Sequence, residues 1–135
     1  MTKLIIANWK MNIPETSIEY FCSGLIKKMG ARADFPKVVI CPPAPLLIPL
    51  KEILKETSIG IGGQDCHTET AGAHTGDVSA EILLMAGCSF VIIGHSERRA
   101  SYKEDNQTIS LKVQQAVKSG LVPVVCIGET EADYK

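Results

Sequence analysis

Apolar residues in this chain gather into two patterns that alternate from one end to the other. Five short runs read as strands: Leu4 to Ala7, Val38 to Cys41, Ile59 to Gly62, Phe90 to Ile93 and Leu121 to Ile127. Short runs that are apolar throughout fit strands covered on both faces, as in a parallel sheet. Between them the period changes to that of a helix. Ile18, Phe21, Cys22, Leu25, Ile26 and Met29 make one apolar stripe at helical spacing, with Pro14 suited to the first turn and Gly30 to the stop. Leu46, Leu47, Leu50, Ile53 and Leu54 form a second stripe behind a proline-rich stretch at 41–45. Ser79 to Met85 predicts a short third helix ended by Gly87. Asp105 is placed to cap a fourth, with Ile109, Val113, Ala116 and Val117 on one face and Gly120 at its end. Thr130 to Lys135 reads as the opening of a fifth helix.

Strand, helix, strand, repeated down the chain, is the pattern of a parallel α/β sheet with about five strands and four intervening helices. No linker, repeat or low-complexity stretch divides it, so residues 1–135 read as a single domain. In the first strand Leu4, Ile6, Asn8 and Lys10 share one parity and point to one face. Two apolar residues followed by two polar ones suit a strand whose inner face is packed below and meets a ligand at its C-terminal rim. That is the layout of a βα barrel; a doubly wound open sheet is the structural alternative.

Composition narrows the function classes. The chain is 45% hydrophobic with a net charge of -1, which gives no electrostatic reason to expect nucleic acid or an anionic membrane as partner. Its five cysteines are scattered and contain no Cys-x-x-Cys, so a reduced, cytoplasmic setting is expected rather than a disulfide framework. No signal-like segment opens the chain, and no run approaches the roughly 18 apolar residues of a membrane span.

The chemistry concentrates at two strand ends. Gly94-His95-Ser96-Glu97-Arg98-Arg99 follows the fourth strand and sets an imidazole at its C-terminal mouth. Ser96 is placed to cap a helical turn, which puts His95 near the positive end of a helix dipole and favours a neutral ring that donates to an oxyanion. Ala7-Asn8-Trp9-Lys10-Met11-Asn12 ends the first strand. A strand-end lysine is ordinarily a solvated charge, and a lone histidine ordinarily a core or capping residue. The two motifs together strongly resemble the triosephosphate isomerases, along the whole length of this chain. Val124-Val125-Cys126-Ile127-Gly128-Glu129-Thr130 matches the same family's fifth strand.

The resemblance implies a partial TIM (β/α)8 barrel and an enzyme of glycolysis and gluconeogenesis. It would interconvert dihydroxyacetone phosphate and glyceraldehyde 3-phosphate through an enediolate. Lys10 is then the catalytic ammonium that binds substrate phosphate, and Asn8 a substrate-binding donor. His95 is the neutral electrophile, a role that belongs to this family and is carried over from it. Glu97 partners the lysine or relays a proton, with a purely structural carboxylate as the alternative. Cys126 shapes the pocket without acting as nucleophile, and Glu129 is not the catalytic base. Gln64-Asp65 and 72–79 resemble the long loop through which isomerase subunits interlock. Thr75, Asp77 and Arg98 are then interface residues, with Asp77 expected to pair with Arg98. His74 departs from the bulkier residue usual in that loop.

Cys66-His67 with His74 lacks a second close ligand pair, and the family needs neither metal nor cofactor, so none is expected. Gly60-Ile61-Gly62-Gly63 falls short of a dinucleotide fingerprint and suits close packing in the third strand.

The family's barrel has eight strands and these residues match five. The sixth-strand glutamate that moves the proton, the lid after it and the last phosphate-binding loops have no counterpart in residues 1–135. The chain by itself is therefore expected to be inactive. Its expected partners are triose phosphate, a second copy as in the family's homodimers, or a complementary C-terminal half. A non-catalytic half-barrel assembly module and a different phosphosugar isomerase on the same fold are the alternative readings.

Overall fold

A computed structural model describes residues 3–30 and 36–129. Strand β1 (Leu4–Asn8) leads into helix α1 (Ile18–Met29), then β2 (Lys37–Cys41). A 3-10 turn (Ala44–Leu46) opens α2 (Leu47–Leu54), followed by β3 (Gly60–Gly63), α3 (Ala80–Met85) and β4 (Phe90–Ile93). Helices α4 (Ser96–Tyr102) and α5 (Asn106–Lys118) then precede β5 (Val122–Val125). The strands lie in the order β1-β2-β3-β4-β5, every neighbouring pair parallel. Five parallel strands in sequential order, with helices between them, make a half-barrel layout.

The helical spacing located the helices; their ends follow capping chemistry. Pro14 precedes α1 rather than opening it, because the Ser17 hydroxyl accepts from the Tyr20 amide at 3.1 Å and sets the helix start there. Gly30 closes α1 with φ 60°, and its amide donates to the Ile26 carbonyl. Ser79 and Asp105 cap α3 and α5, accepting from the amides of Ile82 and Thr108. The fourth crossover holds two helices, α4 and α5, where the stripe at 109–117 indicated one. The helix opening read at Thr130 to Lys135 lies outside the described residues.

Alternation along the strands divides the apolar residues between two faces. Val38, Ile40, Ile61, Val91 and Ile93 face outward, where they join Cys22, Leu47, Leu50, Leu83, Ile109 and Ala116 from the helices in one continuous core. Ile6, Val39, Cys41, Phe90, Ile92, Val124 and Cys126 face inward and form a smaller cluster. The glycines of β3 match this division. A methyl group on Gly62 would lie 2.8 Å from the Cys41 Sγ, and one on Gly63 would lie 2.5 Å from a Leu83 methyl. Close packing on both faces thus excludes side chains there.

β1 and β5 are the edges of the sheet, and Leu4, Ile5, Val122 and Val125 on them are exposed.

Candidate functional site

The C-terminal ends of β1 and β4 are separated by two strands, yet the sheet curves enough to bring their polar residues together. Lys10 Nζ donates to Glu97 Oε1 at 2.7 Å. Asn8, Gln64 and His95 line the same cleft. Both Lys10 and Glu97 are more than half exposed, so the ammonium is reachable from solvent.

Lys10 reaches this position through a left-handed backbone, φ 52°, which a side-chain-bearing residue adopts only where its surroundings hold it. Two side chains do so. Asn8 Oδ1 accepts from the Lys10 amide at 2.9 Å, and Gln64 Nε2 donates to the Lys10 carbonyl and the Cys41 carbonyl, both at 2.8 Å. With Oδ1 so engaged, the Nδ2 of Asn8 is left to donate elsewhere. Gln64, expected in an interlocking loop, is turned inward and braces the lysine instead.

His95 is itself the cap of α4. Its Nδ1 accepts from the Glu97 amide at 3.3 Å, and Ser96 is the first helical residue rather than the cap. An accepting Nδ1 carries no proton, so the neutral ring bears its proton on Nε2 and can donate from there. Gly94 supplies the turn out of β4 at φ 70°. Arg99, to which the sequence reading gave no role, fixes that turn. Its guanidinium donates to the Gly94 carbonyl at 2.8 Å, the Asn106 side chain at 2.8 Å and the Cys126 carbonyl at 3.2 Å. The hydrogen bond from Lys10 holds the Glu97 carboxyl below its usual value of 4.5.

Cys126 sits on the inner face at the mouth of β5, half-buried, and burial raises its thiol against the lowering pull of Arg99. Thr75 is exposed on the loop between β3 and α3, as is Asp77. The pair expected between Asp77 and Arg98 is not formed within the chain. Arg98 instead contacts Asp65 at 2.9 Å and Glu104 at 2.7 Å, while Asp77 lies 3.6 Å from His67.

Behind the cleft is a second set of charges that the sequence reading missed. Lys112 on α5 is buried, and its Nζ donates to both Asp65 oxygens at 2.8 and 2.7 Å and to Glu104 Oε1 at 2.6 Å. Arg98 completes a ring of two cations and two anions. The two carboxylates respond in opposite directions. Burial pushes Asp65 above its usual 3.8, over the opposing pull of Lys112 and Arg98. Burial acts the same way on Glu104, but hydrogen bonds from Lys112 and Arg98 outweigh it and hold that carboxyl below 4.5.

A parallel βα sheet with ammonium, amide, imidazole and carboxylate groups gathered at its strands' C-terminal ends belongs to the class of βα-barrel proteins, which build their active sites there. Within that class, a family model for triosephosphate isomerase matches residues 3–135, and the chain belongs to the triosephosphate isomerase family. It is 43% identical over 133 residues to the triosephosphate isomerase of Acidiphilium cryptum, covering 98% of this chain and 51% of that protein. It is 46% identical over 131 residues to that of Chelativorans sp., covering 95% and 50%. The crystal structure of triosephosphate isomerase from Bartonella henselae superposes with a TM-score of 0.88 at 41% identity, over 99% of this chain and 55% of that one. The chain spans about half the length of the relatives it matches.

Proposed function

We propose that residues 1–135 form a single incomplete barrel domain carrying the electrophilic half of a triosephosphate isomerase site. The reading rests on one observation above others. The Lys10 ammonium and the His95 ring meet across the β1 and β4 ends through Glu97, at 2.7 Å from the lysine. In this reading Lys10 binds the phosphate of a triose phosphate and stabilises negative charge as it develops. His95 donates from Nε2 to the enediolate oxygen, and Asn8 donates from Nδ2 beside it. Preorganised donors of this kind act where charge appears in the transition state. Glu97 is the group from which an arriving phosphate must draw Lys10, and Cys126 is a small protonated thiol at the pocket wall. The proton is moved by a base supplied from outside these residues, so the chain alone has no useful turnover.

Thr75, Asp77 and Arg98 are proposed as interface residues of a homodimer working in the cytoplasm, in glycolysis and gluconeogenesis. No metal or organic cofactor takes part in this isomerisation. The exposed apolar residues on β1 and β5 also favour pairing with a complementary half.

Binding of glycerol 3-phosphate, a non-isomerising analogue, tests the site. Lys10→Ala should weaken it by about tenfold or more, the worth of one charge-assisted contact. Undiminished binding in that variant would overturn the assignment. Turnover of glyceraldehyde 3-phosphate by purified chain free of host enzyme would overturn the view that the base lies elsewhere.

A further inference from the structure

We propose that His67, His74 and Asp77 form a binding site for a divalent transition metal ion of the zinc type, on the loop between β3 and α3. The sequence reading sets Cys66-His67 with His74 aside as a metal site for want of a further close ligand, yet the fold brings Asp77 to the two histidines, with one ligand atom from each of the three residues, all within 4.8 Å of one another. The two imidazole rings stack with centroids 3.9 Å apart at 32°. Each has a carboxylate beside it: Asp77 Oδ2 is 3.6 Å from His67 Nε2, and Glu69 Oε2 is 3.3 Å from His74 Nε2. Two imidazoles and a carboxylate are the donor set of a borderline-soft dication, and Glu69 offers a fourth donor, a carboxylate oxygen, at the edge of the set. Two neutral rings and two carboxylates leave a double negative charge for the ion to neutralise.

The ligands are held before any ion arrives. The His67 amide donates to the Val78 carbonyl at 2.9 Å and the Asp77 amide to the His74 carbonyl at 3.0 Å, so backbone bonds close the loop behind all three side chains. Gly72, at φ 148°, keeps the approach to His74 open, since a side chain there would sit 3.0 Å from the His74 Nε2. In the single chain the rings and Asp77 are all partly exposed, which leaves an entry path there; a partner copy docked on Thr75 and Asp77 would compete with the ion for this loop. Cys66 takes no part: its thiol donates to the Lys112 carbonyl, and burial, helped by Asp65, pushes it up to about 11.

Proton placement limits the affinity. His67 Nδ1 accepts from the Glu69 amide at 3.0 Å, so the neutral ring carries its proton on Nε2. Coordination through Nε2 moves that proton to Nδ1 and gives up the bond from the amide, and the stacked rings must splay to share one ion. Micromolar binding is expected, short of a structural zinc site. An ion held there would fix Thr75, which lies between two of its ligands in sequence.

Calorimetric titration of the full 135-residue chain with zinc sulfate at neutral pH tests this, with cobalt(II) absorption as a second readout. One equivalent should bind at micromolar concentration. Cobalt should give visible d–d bands without the strong near-ultraviolet band of a thiolate. Affinity should fall at least about tenfold in His67→Gln and in His74→Gln. Circular dichroism of the surface-loop variants separates lost ligation from lost fold, and Asp77→Asn gives a third, isosteric check. Absence of saturable binding, a thiolate band, or affinity kept in the His67→Gln/His74→Gln double variant would overturn the site. The measurement reads metal binding alone, so the isomerase reading can fail without touching it.

Discussion

Two lysines in this molecule each hold a carboxylate at hydrogen-bonding distance, and they do different work. Lys10 meets Glu97 at 2.7 Å where both side chains are more than half exposed. Lys112 meets Glu104 at 2.6 Å where both are almost wholly shielded, with Asp65 and Arg98 closing the ring. In water an ion pair competes with hydration and is easily exchanged, so the Lys10 ammonium can change partners at small cost. Away from water the same pair is a tie that neither partner can leave without stranding the other's charge. Distance alone does not distinguish them. Solvent does.

Removing the buried cation should break the comparison most strongly. Lys112→Ala leaves Asp65 and Glu104 facing each other with only Arg98 between them, and should cost about 3–5 kcal/mol of stability, read from the urea midpoint. Glu104→Gln keeps the shape and removes one charge; it should cost about 1.5–3 kcal/mol at neutral pH, the scale of charged hydrogen bonds. That variant also tests the acid response. Glu104 is held below 4.5 in the folded chain, so its contribution is present above that pH and lost as pH falls through the folded value. Asp65, pushed above 3.8, works the opposite way, since the folded chain binds its proton more tightly. Stability below about pH 4.5 should therefore fall less steeply in Glu104→Gln than in the parent, and an unchanged slope would assign the acid response elsewhere. The smallest effect belongs to the exposed pair. Lys10→Met should leave the unfolding midpoint where it was while the Glu97 carboxyl, followed by NMR, rises back toward 4.5.

Much of this was written in the sequence, and the exceptions have physical causes. The strands and helices followed from period, because burial on one or two faces imposes a spacing that composition cannot hide. The Lys10 and His95 motifs were legible because strand ends in a parallel sheet point to one rim. Lys112 was missed, although a sign was present: Ile109, Lys112, Val113 and Ala116 share the helical stripe, and a lysine inside a stripe marks either a break in the face or a buried charge with partners. Only the fold supplies those partners, from positions 47 and 8 residues away. Val117 lies on the same stripe yet is 59% exposed, while Ala116 beside it is fully buried. The cap at Ser96 was drawn from propensity, which ranks hydroxyls first and overlooks that an unprotonated imidazole nitrogen can do the same. Asp77 and Arg98 were paired across a loop whose path no local rule fixes.

The backbone brace at Lys10 has one more consequence. Its two side chains come from positions 8 and 64, and the carbonyl shared with the lysine comes from position 41, so the left-handed turn is specified within the first three strands. The lysine's backbone turn is thus a portable property of residues 8–64, while the ammonium meets Glu97 from beyond them. Recombining this segment with foreign later strands would transplant the turn with its brace intact, and that makes it a natural breakpoint for building chimaeric barrels.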